Sequence, residues 1–324
     1  MKIAFFWTWD FSANILKSLI NDFKENIDIK LIVSQPDKPV WRKKILEKTH
    51  TKIIAEKNNI KVLQPNKLRD NTEFFDRLNF LELDFIIVVA YWKIVPNEVL
   101  EAPKYWCINI HWSILPAYRW ASPIQESIKN WDKKTWLTIM YMSEGMDEWD
   151  ILKVENIEIF DTDKTTNLFE KFEKIWPNLL IDTLNWILDW DIKWIKQNDS
   201  KATYCSKISK NDWEINFEKQ TWEKIYNKFR AYSPWPGIYS FFKWKKINFE
   251  NIELENIDLS KDKELNLWEV VELYNENKPK DKKIWIIALW WIIVLKQVKL
   301  EWKKSIDILS FINWNKDFLD YKFN

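Results

Sequence analysis

The chain has 324 residues, a net charge of +1 and two cysteines, Cys107 and Cys205, far apart in sequence. That length suits two domains, the near-zero charge calls for neither a nucleic acid nor a membrane partner of the molecule as a whole, and the cysteines lack metal-ligand spacing and read as reduced thiols. No apolar run reaches membrane-spanning length and Met1-Lys2 leads into a strand-like segment rather than a leader, so a cytoplasmic location is expected.

The first half alternates strand and helix patterns. Residues 3–6 predict a buried strand, and residues 12–23 a helix whose stripe is Ile15, Leu16, Leu19, Ile20 and Phe23. A strand is predicted at 29–34, a Pro- and Lys-rich loop at 35–44, a helix at 50–58, a short strand at 60–65 and a helix at 72–81. Residues 84–91 are almost continuously apolar, the pattern of a parallel strand covered on both faces. Strands follow at 106–111 and 136–142, then a long amphipathic helix at 165–188. This rhythm predicts an α/β fold, a Rossmann-like domain with an open, mostly parallel sheet over residues 1–190. Residues 191–207 are polar and irregular, a linker. Over residues 208–324 one helix (221–231) precedes short segments at 238–242, 246–254, 269–275, 283–289 and 292–300, which predict a small OB-like β-barrel.

The anomaly is the ratio of 24 tryptophans to 2 glycines, where ordinary usage gives about 23 glycines. Asn130-Trp131-Asp132, Asp189-Trp190-Asp191 and Asn313-Trp314-Asn315 have the form of Asn-Gly or Asp-Gly turns, and Trp244 and Trp302 stand among charges at expected hairpin tips. A tryptophan there buries almost nothing. We read all but about two of the tryptophans, Trp222 and Trp235, as glycine positions. A gene whose UGA codons mean glycine, translated as if they meant tryptophan, gives this pattern.

The stretch NIHWSILPAYRWASPI, residues 109–124, carries the chemistry. A strand delivers Asn109 and His111 on one face at its carboxyl end, where open α/β sheets bind ligands. A second such end, SEGMDEWD at 143–150, supplies Asp147. Asn and His suit stabilisation of a tetrahedral oxyanion, and Asp can orient the imidazole. Such a set serves attack of an amine on a carbonyl without a protein nucleophile or a metal. The opening FFWTWD, read with glycines, is only a fragment of a dinucleotide fingerprint, and no acidic residue follows the 29–34 strand to hold a ribose.

With glycine at those positions the chain resembles the methionyl-tRNA formyltransferase family along nearly its whole length. The resemblance runs through FFWTWDFS (5–12), VSQPDKPVWRKK (33–44), VVAYWKIVP (88–96), the 109–124 stretch, GMDEWDIL (145–152), ATYCSKIS (202–209) and RAYSPWPG (230–237). It implies transfer of the formyl group of 10-formyltetrahydrofolate to the methionyl amine of initiator tRNA, by a monomer without a metal. It implies a catalytic trio of Asn109, His111 and Asp147 and a folate-contacting loop of Ser113, Ile114, Leu115 and Pro116, with Ile114 where leucine is usual. It also implies tRNA contacts from Arg42 and Lys43 in the 35–44 loop and from Lys207. A formyltransferase acting on a nucleotide-linked amine, of an amino sugar or of glycinamide ribonucleotide, could carry the same trio. A non-catalytic RNA-binding protein is the reading from a different class. The second half is nearly neutral, with local lysine clusters at Lys243/Lys245/Lys246 and Lys280/Lys282/Lys283.

Overall fold

The computed structural model describes residues 1–7, 13–40, 45–91, 93–142, 145, 147–191, 193–256, 266–275, 278–288 and 291–323. The chain divides into two compact units: residues 1–123, 134–158 and 169–206, and residues 124–133, 159–168 and 207–324.

The strands of the first unit are β1 (Lys2–Trp7), β2 (Asp28–Val33), β3 (Lys38–Val40), β4 (Ile45–Glu47), β5 (Val62–Leu63), β6 (Phe85–Val89), β7 (Trp106–His111), β8 (Arg119–Trp120), β9 (Lys134–Tyr141), β10 (Ile151–Glu158) and β11 (Tyr204–Cys205). Seven of them form one sheet in the order β10-β9-β7-β6-β1-β2-β5. The pairs β7-β6-β1-β2-β5 are parallel, and β9 and β10 add an antiparallel edge. The helices α1 (Ala13–Asp22), α2 (His50–Lys57), α3 (Thr72–Phe80), α4 (Asn97–Leu100), α5 (Pro123–Lys129) and α6 (Thr165–Leu188) intervene. Because side chains alternate across a strand, β1 serves two cores at once. Ala4 and Phe6 pack with Phe74 and Leu78 of α3 and Val99 of α4. Phe5 and Trp7 face Trp176 of α6, at ring separations of 6.2 and 5.5 Å. Cys107 lies within the first of these cores, and burial pushes its thiol well above its ordinary pKa.

The second unit contains α7 (Trp222–Tyr232), β12 (Ile238–Phe242), β13 (Lys245–Asn256), β14 (Val270–Asn275), β15 (Lys278–Ala288), β16 (Trp291–Leu300), β17 (Ile306–Asp307) and α8 (Ile308–Trp314). Its strands form one antiparallel sheet, β12-β13-β16-β15-β14, with β17 beside β16. Ile238, Phe249, Ile252, Ile286, Ile293 and Leu295 face a common interior with Phe217 and with Ile225 of α7. The short, closely spaced apolar strands thus form an antiparallel sheet around one apolar interior.

Several elements differ from the sequence expectation. β10 was not expected, because its outward residues Lys153, Glu155 and Asn156 dilute the apolar pattern of an edge strand. The 35–44 segment is not wholly loop, since Lys38–Val40 pairs with Ile45–Glu47. The strand expected at 60–65 is only Val62–Leu63, and α8 lies in a tail left unassigned. Residues 193–206 run back to the first unit, where Tyr204 pairs with Arg119.

The backbone bears directly on the tryptophan anomaly. Trp120, Trp131, Trp190, Trp244, Trp268 and Trp302 all have φ between +56° and +81°. This is the left-handed region that a Cβ penalises and glycine occupies freely. Trp131 follows α5 in a glycine-type helix stop: its N–H donates to Ile128 O and that of Asp132 to Ser127 O. Trp190 follows α6 identically, with Trp190 N–H to Ile187 O and Asp191 N–H to Trp186 O. Both are Schellman motifs with the tryptophan at the position usually held by glycine. Lys243 and Trp244, both at positive φ, make the two-residue turn between β12 and β13. Trp244 is 97% exposed there. In addition, among the described residues, the indole nitrogens of Trp7, Trp176, Trp213 and Trp285 are buried without a hydrogen-bond partner, a cost that a glycine would not carry.

Sequencing the gene is expected to show UGA at codons 120, 131, 190, 244, 268 and 302; UGG at those codons overturns the glycine reading. Trp244→Gly in the tryptophan-bearing chain is expected to raise stability by about 1 kcal/mol in urea denaturation.

Candidate active site

β7 lies between β6 and β9 in the sheet. Asn109 pairs with Val88 on one side and Met140 on the other, and His111 pairs with Thr138. Two residues apart on one strand, Asn109 and His111 share a face at its carboxyl end. Asn109 is half-buried, and His111 is buried.

Beyond His111 the chain makes a tight excursion and returns as β8. Ser113 Oγ donates to Ala117 O at 2.6 Å, and Thr138 Oγ1 donates to Ser113 O at 2.5 Å, which ties the excursion both to itself and to β9. Ser113 is fully buried, and Leu115 packs against Met140 of β9 and Ile151 of β10. A cis peptide joins Leu115 to Pro116. Ile114, between two buried neighbours, is 36% exposed and presents an apolar side chain outward. A second segment braces the excursion. Tyr118 N–H donates to Thr203 Oγ1 and Arg119 N–H to Thr203 O, each at 2.8 Å, while Thr203 N–H donates to Pro116 O.

This brace places the Tyr118 carbonyl 2.9 Å from His111 Nε2. A carbonyl oxygen can only accept, so Nε2 carries the hydrogen and donates it. The other ring nitrogen, Nδ1, faces Asp147 Oδ2 at 3.6 Å. The same oxygen accepts the Trp120 N–H at 2.8 Å. Asp147 itself has φ of +57°, a conformation in which aspartate is one of the better-tolerated side chains. The structure therefore brings His111 and Asp147 together, but not as two strand ends meeting: β9 runs antiparallel to β7, so its carboxyl end lies beside Ile108, and the segment after it turns back to reach His111. With Nε2–H committed to Tyr118 O, Nδ1 is the acceptor of the neutral ring and the atom at which a second proton is gained or given up.

Two residues that the sequence reading did not place in this network are held beside it. Arg119 is buried, donates to Gln197 Oε1 through Nε and Nη2, and pairs with Asp199 at 2.7 Å. Burial works against its charge, but Asp199 and Tyr204 push its pKa above the usual arginine value. Gln197 Nε2 in turn donates to Asp147 O and Trp149 O. Arg119 sits inside the most informative motif and could have been noticed there. Gln197 stands in a polar, aperiodic stretch with no signal of its own.

Arg42 and Lys43 lie outside the described residues. Among the described residues before and after them, Lys52 Nζ donates to Asp37 Oδ2 and Gln64 Oε1, and Gln64 Nε2 to Asp37 Oδ1 and Gln35 O. Partial burial opposes the charge on Asp37, yet Lys52 and Gln64 hold its carboxyl below the usual carboxylate range. Lys207 is exposed. In the lysine clusters, Lys243 pairs with Asp317, and Lys283 with Glu255 at 2.6 Å, so part of their charge is already matched. Among the described residues no helix is long and apolar enough to cross a membrane, and no group of three His, Cys, Asp or Glu is placed to hold a metal ion.

An imidazole at the carboxyl end of β7, a carboxylate brought to it by the segment after the antiparallel β9, and an asparagine on the same strand face suit an acyl-transfer enzyme of the α/β class. Residues 1–184 match the formyl transferase family model and residues 207–316 match the model of the formyl transferase C-terminal domain. Over 317 residues the chain is 40% identical to methionyl-tRNA formyltransferase of Caldicellulosiruptor saccharolyticus, covering 98% of this chain and 97% of that protein. It is 43% identical over 270 residues to methionyl-tRNA formyltransferase of Sulfurimonas denitrificans, covering 81% and 86%. Among solved structures, HypX from Aquifex aeolicus in complex with tetrahydrofolic acid shares the fold, with a TM-score of 0.64 at 14% identity. That match covers 99% of this chain, which spans about half, 48%, of that protein. The chain belongs to the formyl transferase family and, within it, to the methionyl-tRNA formyltransferases.

Ser113→Ala removes the donor to Ala117 O while leaving that carbonyl in a confined turn. We expect a loss of about 1 kcal/mol in urea denaturation.

Proposed function

We propose that Asn109, His111 and Asp147 form the reacting centre of a direct formyl transfer. The enzyme moves the formyl group of 10-formyltetrahydrofolate to the α-amino group of methionyl initiator tRNA. The observation that carries the assignment is His111 Nδ1 facing Asp147 Oδ2 at 3.6 Å, with Nε2 committed to Tyr118 O, in a chain of this family.

The neutral amine attacks the formyl carbon, forming the new C–N bond as the carbonyl becomes an oxyanion. Asn109 is one donor for that charge, and His111, with a second proton at Nδ1 that makes it an imidazolium beside the Asp147 carboxylate, is the other, in a site partly closed to water. Asp147 orients the imidazole and takes up the proton that the attacking amine sheds. As the oxyanion collapses to the new formamide carbonyl, the bond to folate N10 breaks with its electron pair going to that nitrogen, which takes the proton that Asp147 received from the amine. No covalent enzyme intermediate is needed, because the substrate supplies the nucleophile. Ser113, Ile114, Leu115 and Pro116 are the folate-facing loop in this reading, with exposed Ile114 offering apolar contact.

The catalytic domain spans residues 1–190. Residues 208–324 form the tRNA-binding domain, joined through 191–207. Arg42 and Lys43, with Lys207, are the tRNA contacts. The protein acts as a cytoplasmic monomer, needs no metal and uses no membrane.

The test combines the full chain, carrying glycine at the reassigned positions, with 10-formyltetrahydrofolate and methionyl initiator tRNA. Formyl-methionine is the expected product. His111→Ala and Asp147→Ala are each expected to lower kcat by at least about 100-fold. Activity confined to a nucleotide-linked amine moves the substrate to a sibling enzyme while keeping the trio. Arg42→Ala is expected to raise KM for the tRNA and spare folate binding; an unchanged rate on tRNA overturns that contact.

A further inference from the structure

Gln197 uses every hydrogen-bonding group of its side chain on the site. Its Nε2 donates to Asp147 O at 3.0 Å and to Trp149 O at 2.6 Å. Its Oε1 accepts from Arg119 Nε at 3.2 Å and Nη2 at 2.8 Å. One amide thus grips two carbonyls two residues apart, on either side of Glu148, and fixes the peptide planes that carry Asp147. The amide cannot turn over, because that would set its own N–H groups against the Arg119 guanidinium.

Arg119 is in turn immobilised. It is 1% exposed, and Asp199 Oδ1 accepts from Nη2 and the Tyr204 hydroxyl from Nη1. The residue next to it completes the arrangement: Trp120 N–H donates to Asp147 Oδ2. β8 therefore controls Asp147 twice, its backbone through Gln197 and its carboxylate through the Trp120 amide. Nothing in this requires the Trp120 side chain, so it holds equally if position 120 is glycine.

We propose that Gln197, held by Arg119, is a positioning residue for Asp147: it sets the distance and angle from which the carboxylate meets His111. The proposal rests on the assignment of Asp147 to the reacting centre. A carboxylate held in a left-handed turn has no sheet hydrogen bonds to keep it in register, so its placement falls to these two side-chain contacts.

Gln197→Glu separates this from a merely structural role. Glutamate keeps an oxygen acceptor for Arg119, and adds a charge to that contact, but has no hydrogen to give Asp147 O and Trp149 O. We expect the variant to fold, with Tm within about 5 °C of the parent. We expect kcat to fall about 10- to 100-fold with KM for the folate changed less than about threefold, as for a misplaced reacting group. Gln197→Ala, the second variant, is expected to lose kcat similarly with a lower Tm. The decisive measurement is the pair Gln197→Glu and Asp147→Ala. If Gln197 acts through Asp147, the loss caused by Gln197→Glu disappears in the Asp147→Ala background. Multiplying losses, or a wild-type kcat in Gln197→Glu, overturns the proposal while leaving the assignment of Asp147 intact. A fully active Asp147→Ala variant overturns that assignment itself and the proposal with it.

Discussion

The site depends on one carbonyl oxygen. Tyr118 O takes the Nε2 hydrogen of His111 and thereby directs Nδ1 at Asp147. That oxygen is in place only because the excursion after β7 is braced on both sides, by Thr138 from β9 and by Thr203 from the segment leading to β11. A rotation of the Tyr118 peptide would leave the imidazole free to adopt either tautomer. The asparagine and histidine would still share a face, but the proton inventory of the site would no longer be defined.

Most of the catalytic fold was legible in the sequence because its strands are buried on both faces. Residues 84–91 show almost no polar interruption, and the structure forms β6 there with all five residues, Phe85–Val89, buried. α6 was legible for the complementary reason: its period persists over 24 residues. β10 was not, since an edge strand with one solvated side loses half of its signal. That both His111 and Asp147 follow strands was visible in the sequence, but β9 proved antiparallel to β7, and Asp147 reaches His111 through a returning segment rather than a shared sheet end. The roles of Gln197 and Arg119 were not visible, because they depend on a chain reversal that brings residue 197 back to residue 147, some fifty positions upstream. Sequence periodicity carries no information about such a return.

The second unit shows a different balance of forces. Its apolar interior is built from Ile, Phe, Val and Leu of four strands and α7, while several of its lysines are matched by acidic neighbours. A lysine already paired with a carboxylate contributes less to the binding of a polyanion than an unpaired one.

The left-handed turns have a consequence beyond stability. They recur from residue 120 to residue 302, and on the reading given above each is written with a codon that most organisms take as a stop. A gene of this kind moved into such a host would be cut off at the first codon so read, that of residue 7. What remains would be most of β1, with none of the other strands, neither His111 nor Asp147, and no residue of the second unit. The turn geometry of the protein thus acts as a genetic boundary: the gene can be inherited, but it cannot be usefully borrowed.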